Sequence, residues 1–181
     1  MRSVVKHATA ALALSACAAV AVAQQELKPL FTPEEFFNGS VSGKGTITTL
    51  FFWDEDFTNA FSGRVQQDET LIEERFTFTD ATPKQYWRFK RLGDGRYSGD
   101  VTTEGKDGKL RGPQPVEAWL DKSGFHIDYS GHAPDGGDTQ YRFRHDLTLQ
   151  PDGTVVNDVS ISWWGIPLAS SRAVFTRQPA P

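Results

Sequence analysis

The chain has 181 residues, which corresponds to one domain on a scale of roughly 150 residues per domain. Its 19 Lys and Arg against 23 Asp and Glu leave a formal net charge of −4, which excludes a nucleic-acid scaffold, since that needs a basic footprint. One Cys excludes an intrachain disulfide framework, and 12% aromatic residues with 16 Gly give a β-type composition behind an Ala-rich leader.

Residues 1–23 read as a signal peptide. Arg2, Lys6 and His7 form a basic start, an apolar stretch follows from Ala8, and Ala21-Val22-Ala23 is an A-x-A cleavage site ahead of the polar Gln24-Gln25-Glu26. The uncharged run from Ala8 to Ala23 is too short for a stable membrane span. Cleavage removes Arg2 and Lys6 and makes the mature chain, residues 24–181, more acidic. A second pattern overlaps the first: Leu14-Ser15-Ala16-Cys17 resembles a lipobox, which would make the protein a lipoprotein anchored through Cys17. Against it, Ala18 to Ala23 stays apolar. Either route predicts export to the periplasm. It also predicts a mature chain without a transmembrane helix, with peripheral or lipid-tethered contact as its relation to a bilayer.

The mature part opens with one helix signal, Thr32-Pro33-Glu34-Glu35-Phe36-Phe37-Asn38-Gly39. Thr32 suits the cap, Pro33 the first position, the two Glu complement the dipole, and Gly39 stops the helix after less than two turns. A Phe from this helix is expected to act as a plug. Period-2 patterns follow, predicting strands near 40–52, 57–67, 69–79, 84–92, 96–104, 115–121, 124–130, 139–149, 154–163 and 167–177. Between them lie turn clusters such as Gly93-Asp94-Gly95, Gly105-Lys106-Asp107-Gly108, Asp121-Lys122-Ser123-Gly124, Asp135-Gly136-Gly137-Asp138 and Pro151-Asp152-Gly153. So many short strands without intervening helices predict an all-β antiparallel meander. Closure into a barrel removes its exposed edges; a sandwich is the alternative.

The order of several motifs is distinctive. Phe36-Phe37-x-Gly39 leads into Gly45. Glu74-x-Phe76-x-Phe78-x-Asp80, Trp87 and Asp94-Gly95-Arg96-Tyr97-x-Gly99 come next, then Trp119, Tyr141, Trp164-Gly165-Ile166-Pro167 and Phe175. In this order, over residues 30–177, the chain resembles a bacterial family of envelope proteins, often lipoproteins, catalogued as a domain of unknown function and of lipocalin-like, calycin-type character. Ala81-Thr82-Pro83-Lys84 departs from the family pattern, which usually continues there with Gly and an acidic residue. The resemblance implies a lipocalin-like barrel in the envelope and carries no established reaction.

Alternation places particular side chains inside. Ile72, Glu74, Phe76 and Phe78 share one face, as do Trp87 with Phe89, and Tyr141 with Phe143, His145, Leu147 and Leu149. On 154–163, Asn157 aligns with Val155, Val159, Ile161 and Trp163. Glu74, His145 and Asn157 are therefore polar intruders on apolar stripes. An unpaired buried polar group costs on the order of 1–3 kcal/mol, so each needs a partner. Three readings follow: mutual hydrogen bonding with Tyr141, Arg91 or water; orientation of a ligand's polar end; or acid–base chemistry by Glu74 and His145. The candidate ligand-binding set is Glu74, Phe76, Trp87, Phe89, Tyr141, His145 and Asn157.

Trp164-Gly165-Ile166-Pro167 is expected to pack, with an exposed apolar lip as the alternative. His126-x-Asp128 with His132 carries no strong metal signature. Asp54-Glu55-Asp56 and the 135–138 turn read as solvated segments rather than calcium loops. The chain lacks G-x-S-x-G, a nucleotide loop and H-E-x-x-H, and no metal or cofactor is assigned. The expected function is a periplasmic, cell-envelope binding protein for a hydrophobic small molecule, a lipid or fatty acyl ligand. The alternatives are a barrel enzyme acting on such a ligand, and a non-catalytic envelope interaction protein using its acidic surface and the Trp164 lip.

Overall fold

Thr32 does cap the predicted helix. Its Oγ1 accepts from the Glu35 backbone N–H at 3.3 Å, and Pro33 opens the short helix α1 (Pro33–Phe36). The computed structural model describes residues 31–134 and 136–179. The leader, Cys17 and Asp135 of the 135–138 turn lie outside the described residues.

Ten strands follow: β1 (Gly39–Thr49), β2 (Trp53–Gln66), β3 (Glu69–Thr77), β4 (Lys84–Gly93), β5 (Arg96–Glu104), β6 (Leu110–Leu120), β7 (Phe125–His132), β8 (Gln140–Leu149), β9 (Val155–Trp163) and β10 (Ile166–Arg177). Each pairs antiparallel with its sequence neighbours. β10 returns to β1, from Val41 opposite Arg177 to Thr49 opposite Ala169, and the ten strands close into a barrel without a free edge. The fold is the antiparallel meander barrel that the strand pattern predicts, lipocalin-like as the family resemblance implies, and the sandwich is excluded.

Three boundaries differ from expectation by three residues or more: the end of the first strand and the starts of β2, at Trp53 rather than 57, and of β6. The predicted first strand ran through residue 52, but the chain turns at 50–52, because Leu50 and Phe51 adopt positive φ of 50° and 70°. An apolar run gives no turn signal, so it reads as strand. β6 begins at Leu110 rather than 115, and its pairing with β5 shifts register between Val101 and Thr103.

The two ends of the barrel are unlike. At one end, α1 and its flanks fill the lumen. Phe31, Phe36 and Phe37 are buried, Phe37 lies 5.3 Å from Phe61 and 6.4 Å from Phe175, and Phe31 lies 6.4 Å from Phe125 (ring centres). Tyr97 Oη donates to Glu34 Oε2 at 3.1 Å, tying the plug to the wall. Gly63 permits this closure, since a Cβ there would stand 1.9 Å from the Phe37 carbonyl oxygen. The other end carries the turns at 50–52, 78–83, 105–109 and 164–165 and the described residues that flank position 135, and it receives no plug from the described residues.

The outer wall is charged. Arg88 pairs with Asp100, Arg142 and Arg144 both reach Asp128 at 2.8 and 3.0 Å, and Arg172 meets Asp158 at 2.8 Å. Such exposed pairs contribute little stability. They do give the wall a water-facing character, the reverse of a lipid-facing barrel. No helix among the described residues is long and apolar enough to cross a membrane.

Candidate functional site

A polar band crosses the lumen at mid-height. The strand alternation that turns Phe57 and Phe61 inward on β2 also turns Asn59 inward, and β3 contributes Glu74, only 6% exposed. Asn59 Nδ2 donates to Glu74 Oε1 at 2.6 Å and Trp87 Nε1 donates to Oε2 at 3.0 Å. Burial pushes the Glu74 carboxyl up to about 7, with the Trp87 and Asn59 hydrogen bonds pulling the other way. Across the lumen, Asn157 Nδ2 lies 3.3 Å from His145 Nδ1. Burial holds the His145 imidazole down to about 4, so this ring is neutral at physiological pH. The polar intruders thus form two separate pairs. Asn59 Oδ1, Asn157 Oδ1 and His145 Nε2 have no partner among the described residues, although each is shielded from solvent.

Two voids flank this band. A cavity of about 80 Å³ lies towards the unplugged end, between Ile47, Phe57, Phe76, Phe78, Phe143 and Ile161; one of about 40 Å³ lies towards the plug, between Phe37, Phe61, Trp87, Phe89 and Phe125. Glu74, His145 and Asn157 line both. Phe76 therefore stands above the band, Trp87 and Phe89 below it. Tyr141 lines neither cavity; it is half-buried, 6.4 Å from the Phe143 ring. Asn59 escaped the sequence reading, although its place between Phe57 and Phe61 was an available signal. Gln85 and Tyr129, which also line the upper cavity, lay on predicted strands without standing out.

The geometry does not join Glu74 to His145. Trp87 stands between them, bonded to Glu74 and edge-on to the His145 ring at 5.9 Å. A second constellation resembles a nucleophile triad: Ser123 Oγ is 3.0 Å from His126 Nε2, and His126 Nδ1 is 2.5 Å from Asp146 Oδ1. The Ser123 hydroxyl, however, has one proton and places it on Asp121 Oδ1 at 2.5 Å. Burial lowers the His126 pKa, but its bonds to Asp146 and Asp121 outweigh that and raise it overall. Among the described residues, no group of three or more His, Cys, Asp or Glu side chains is placed to hold a metal ion.

The rim of the unplugged end is apolar. Phe51, Phe52 and Trp164 are 78%, 79% and 86% exposed, with Leu50, Trp53, Trp163 and Ile166 exposed beside them. The Trp164 segment therefore stands free as a lip, against the expectation of packing. Its turn and the 50–52 turn are neighbours, joined by a bond from Leu50 N to Leu168 O at 2.8 Å. Leu50, Phe51 and Trp164 all hold positive φ, which costs a bulky residue of order 1–2 kcal/mol. Asn or Gly usually occupies such positions.

A closed ten-stranded meander barrel with a plugged base, an apolar lumen and a buried polar band is a lipocalin-like β-barrel fold. The chain belongs to the family described as "Protein of unknown function (DUF3833)", whose pattern matches residues 11–177. No curated protein matches it in sequence. The crystal structure of Rv2717c from M. tuberculosis is similar at a TM-score of 0.53 and 13% identity, over 79% of this chain and 93% of that one. This likeness is one of fold. The S-type phycobiliprotein lyase CPES from Guillardia theta aligns at a TM-score of 0.42 and 9% identity, over 83% of this chain and 95% of that one.

Proposed function

We propose that the protein is a periplasmic, cell-envelope binding protein that holds one hydrophobic small molecule, a lipid or other acyl-chain compound, inside its barrel. The observation that carries this reading is the polar band: three buried polar atoms without protein partners, on residues that line an apolar cavity at the unplugged end. At about 80 Å³ the cavity is smaller than the roughly 150 Å³ that admits benzene in an engineered core, which favours a narrow chain over a fused ring system. Native mass spectrometry of protein purified from its own envelope tests the reading. One non-covalently held apolar molecule per chain is the expected result. A ligand-free protein that also takes up no straight-chain alkane or alkanol overturns it.

The periplasmic location rests on the leader. Cleavage after Ala23 leaves Gln24 at the N-terminus, and the intact mass of the mature protein reads this directly. A mass matching acylated Cys17 replaces the soluble form with a lipoprotein.

The apolar rim supports peripheral contact with a bilayer. Segments 49–53 and 163–168 carry no charge, and the flanking Asp54, Glu55 and Asp56 disfavour an anionic surface. Trp and Phe side chains settle at membrane–water interfaces. Trp164→Asn should therefore weaken co-sedimentation with phosphatidylcholine vesicles, while the thermal midpoint holds or rises because Asn-Gly suits this turn. Full retention of vesicle binding in Trp164→Asn combined with Phe51→Ser removes bilayer contact from the reading.

A further inference from the structure

We propose that the polar band takes an uncharged hydroxyl group, so that the ligand is a hydroxyl-bearing apolar molecule such as a long-chain alcohol, and that carboxylates and phosphates are turned away. The assignment rests on the barrel interior being a ligand site and names the chemistry of the ligand's polar end.

The unpartnered atoms set the requirement. The Asn157 amide N–H₂ donates to His145 Nδ1, so Nδ1 is the ring's acceptor and its proton resides on Nε2. The band then presents two orphaned acceptors, Asn59 Oδ1 and Asn157 Oδ1, and one orphaned donor, His145 Nε2–H. A hydroxyl donates one hydrogen bond and accepts up to two, and so serves both kinds of orphan.

An anionic head group fails on two counts. It has no proton to give either amide oxygen, and it enters a chamber whose one ionisable acid, Glu74, has no cation opposite it. Among the described residues that line the two cavities there is no Lys and no Arg, and His145 stays neutral. An anion there loses its hydration without a counter-charge. An ammonium head group satisfies the acceptors but points hydrogens at the His145 Nε2–H. A neutral hydroxyl meets neither obstacle. The aromatic wall around the band, with Tyr129 at 5.8 Å and Trp87 at 5.9 Å from the His145 ring, also fits an uncharged group.

The test is a ten-carbon series, 1-decanol, decylamine and decanoate, titrated calorimetrically into the whole mature protein at about pH 8, where decanoate is ionised. Decanol is expected to bind more than about tenfold tighter than decanoate, the scale of one buried group left unpaired. The ¹⁵N signals of His145 should move with decanol and stay in place with decanoate. Decanoate binding as tightly as decanol overturns the hydroxyl assignment and leaves the barrel a ligand carrier. Decylamine binding tightest also overturns it, in favour of a cationic head group held by Glu74. Failure of all three ligands, with the straight-chain alkane decane also excluded, overturns the ligand reading itself.

Discussion

Replacing either of two buried titrating groups is expected to tilt the pH dependence of stability, in opposite directions. The native state holds the Glu74 proton up to about pH 7, whereas the unfolded chain releases it near 4.5. The folded form thus binds the extra proton, and this group's contribution falls as pH rises through that window. His145 acts in reverse. The unfolded chain protonates it near 6.5, while the native state resists down to about 4, so its contribution falls as pH drops. Between pH 4.5 and 6.5 the two slopes oppose each other, each up to about 1.4 kcal/mol per pH unit. In Glu74→Gln, stability relative to wild type should therefore rise with pH across this window, by about 3 kcal/mol in all. In His145→Gln it should fall by a similar amount. Urea unfolding at several pH values reads both, and two flat difference curves would show that neither group is held away from its ordinary protonation.

Phe125→Ala should cost about 3–5 kcal/mol. The ring is fully buried and meets three others edge-on, Tyr97 at 5.3 Å, Phe89 at 5.6 Å and Phe31 at 6.4 Å. Its removal would leave a hole next to the lower void and deprive Phe31 of its seat, so the plug loosens along with the wall. Phe51→Ala removes the same side chain from a site that is 78% exposed, and should stay within about 0.5 kcal/mol of wild type. Urea unfolding of the two variants side by side measures the contrast. Equal costs would contradict the placement of one ring in the core and the other on the rim.

The plug and the rim give the two ends of the barrel different roles. The lower end, sealed by Phe31, Phe36 and Phe37, gathers the rings that hold the fold together. The upper end combines the larger cavity with turns whose bulky residues sit in costly backbone conformations. These two features together motivate the bilayer contact proposed for this end.

The all-β meander was legible in the sequence because alternation is a local property: each strand carries its own inward and outward face, and each turn cluster marks its end. The same alternation marked Glu74 and Asn157 as polar groups on apolar stripes before any contact was known. The partners of those groups were not legible. Glu74 meets Asn59 and Trp87, 15 and 13 residues away, because the registers of β2, β3 and β4 bring them to one level of the lumen. The His145–Asn157 pair likewise depends on the β8–β9 register. The turn at Leu50 and Phe51 was hidden as well, since apolar residues forced to positive φ leave no Gly or Asn to signal it. Which end of the barrel stays unplugged was settled by where α1 docks, and docking is a matter of ring packing between segments far apart in the chain. Local pattern determines which face of each strand is apolar; only closure of the barrel decides which polar groups on those faces meet each other and which are left without a partner.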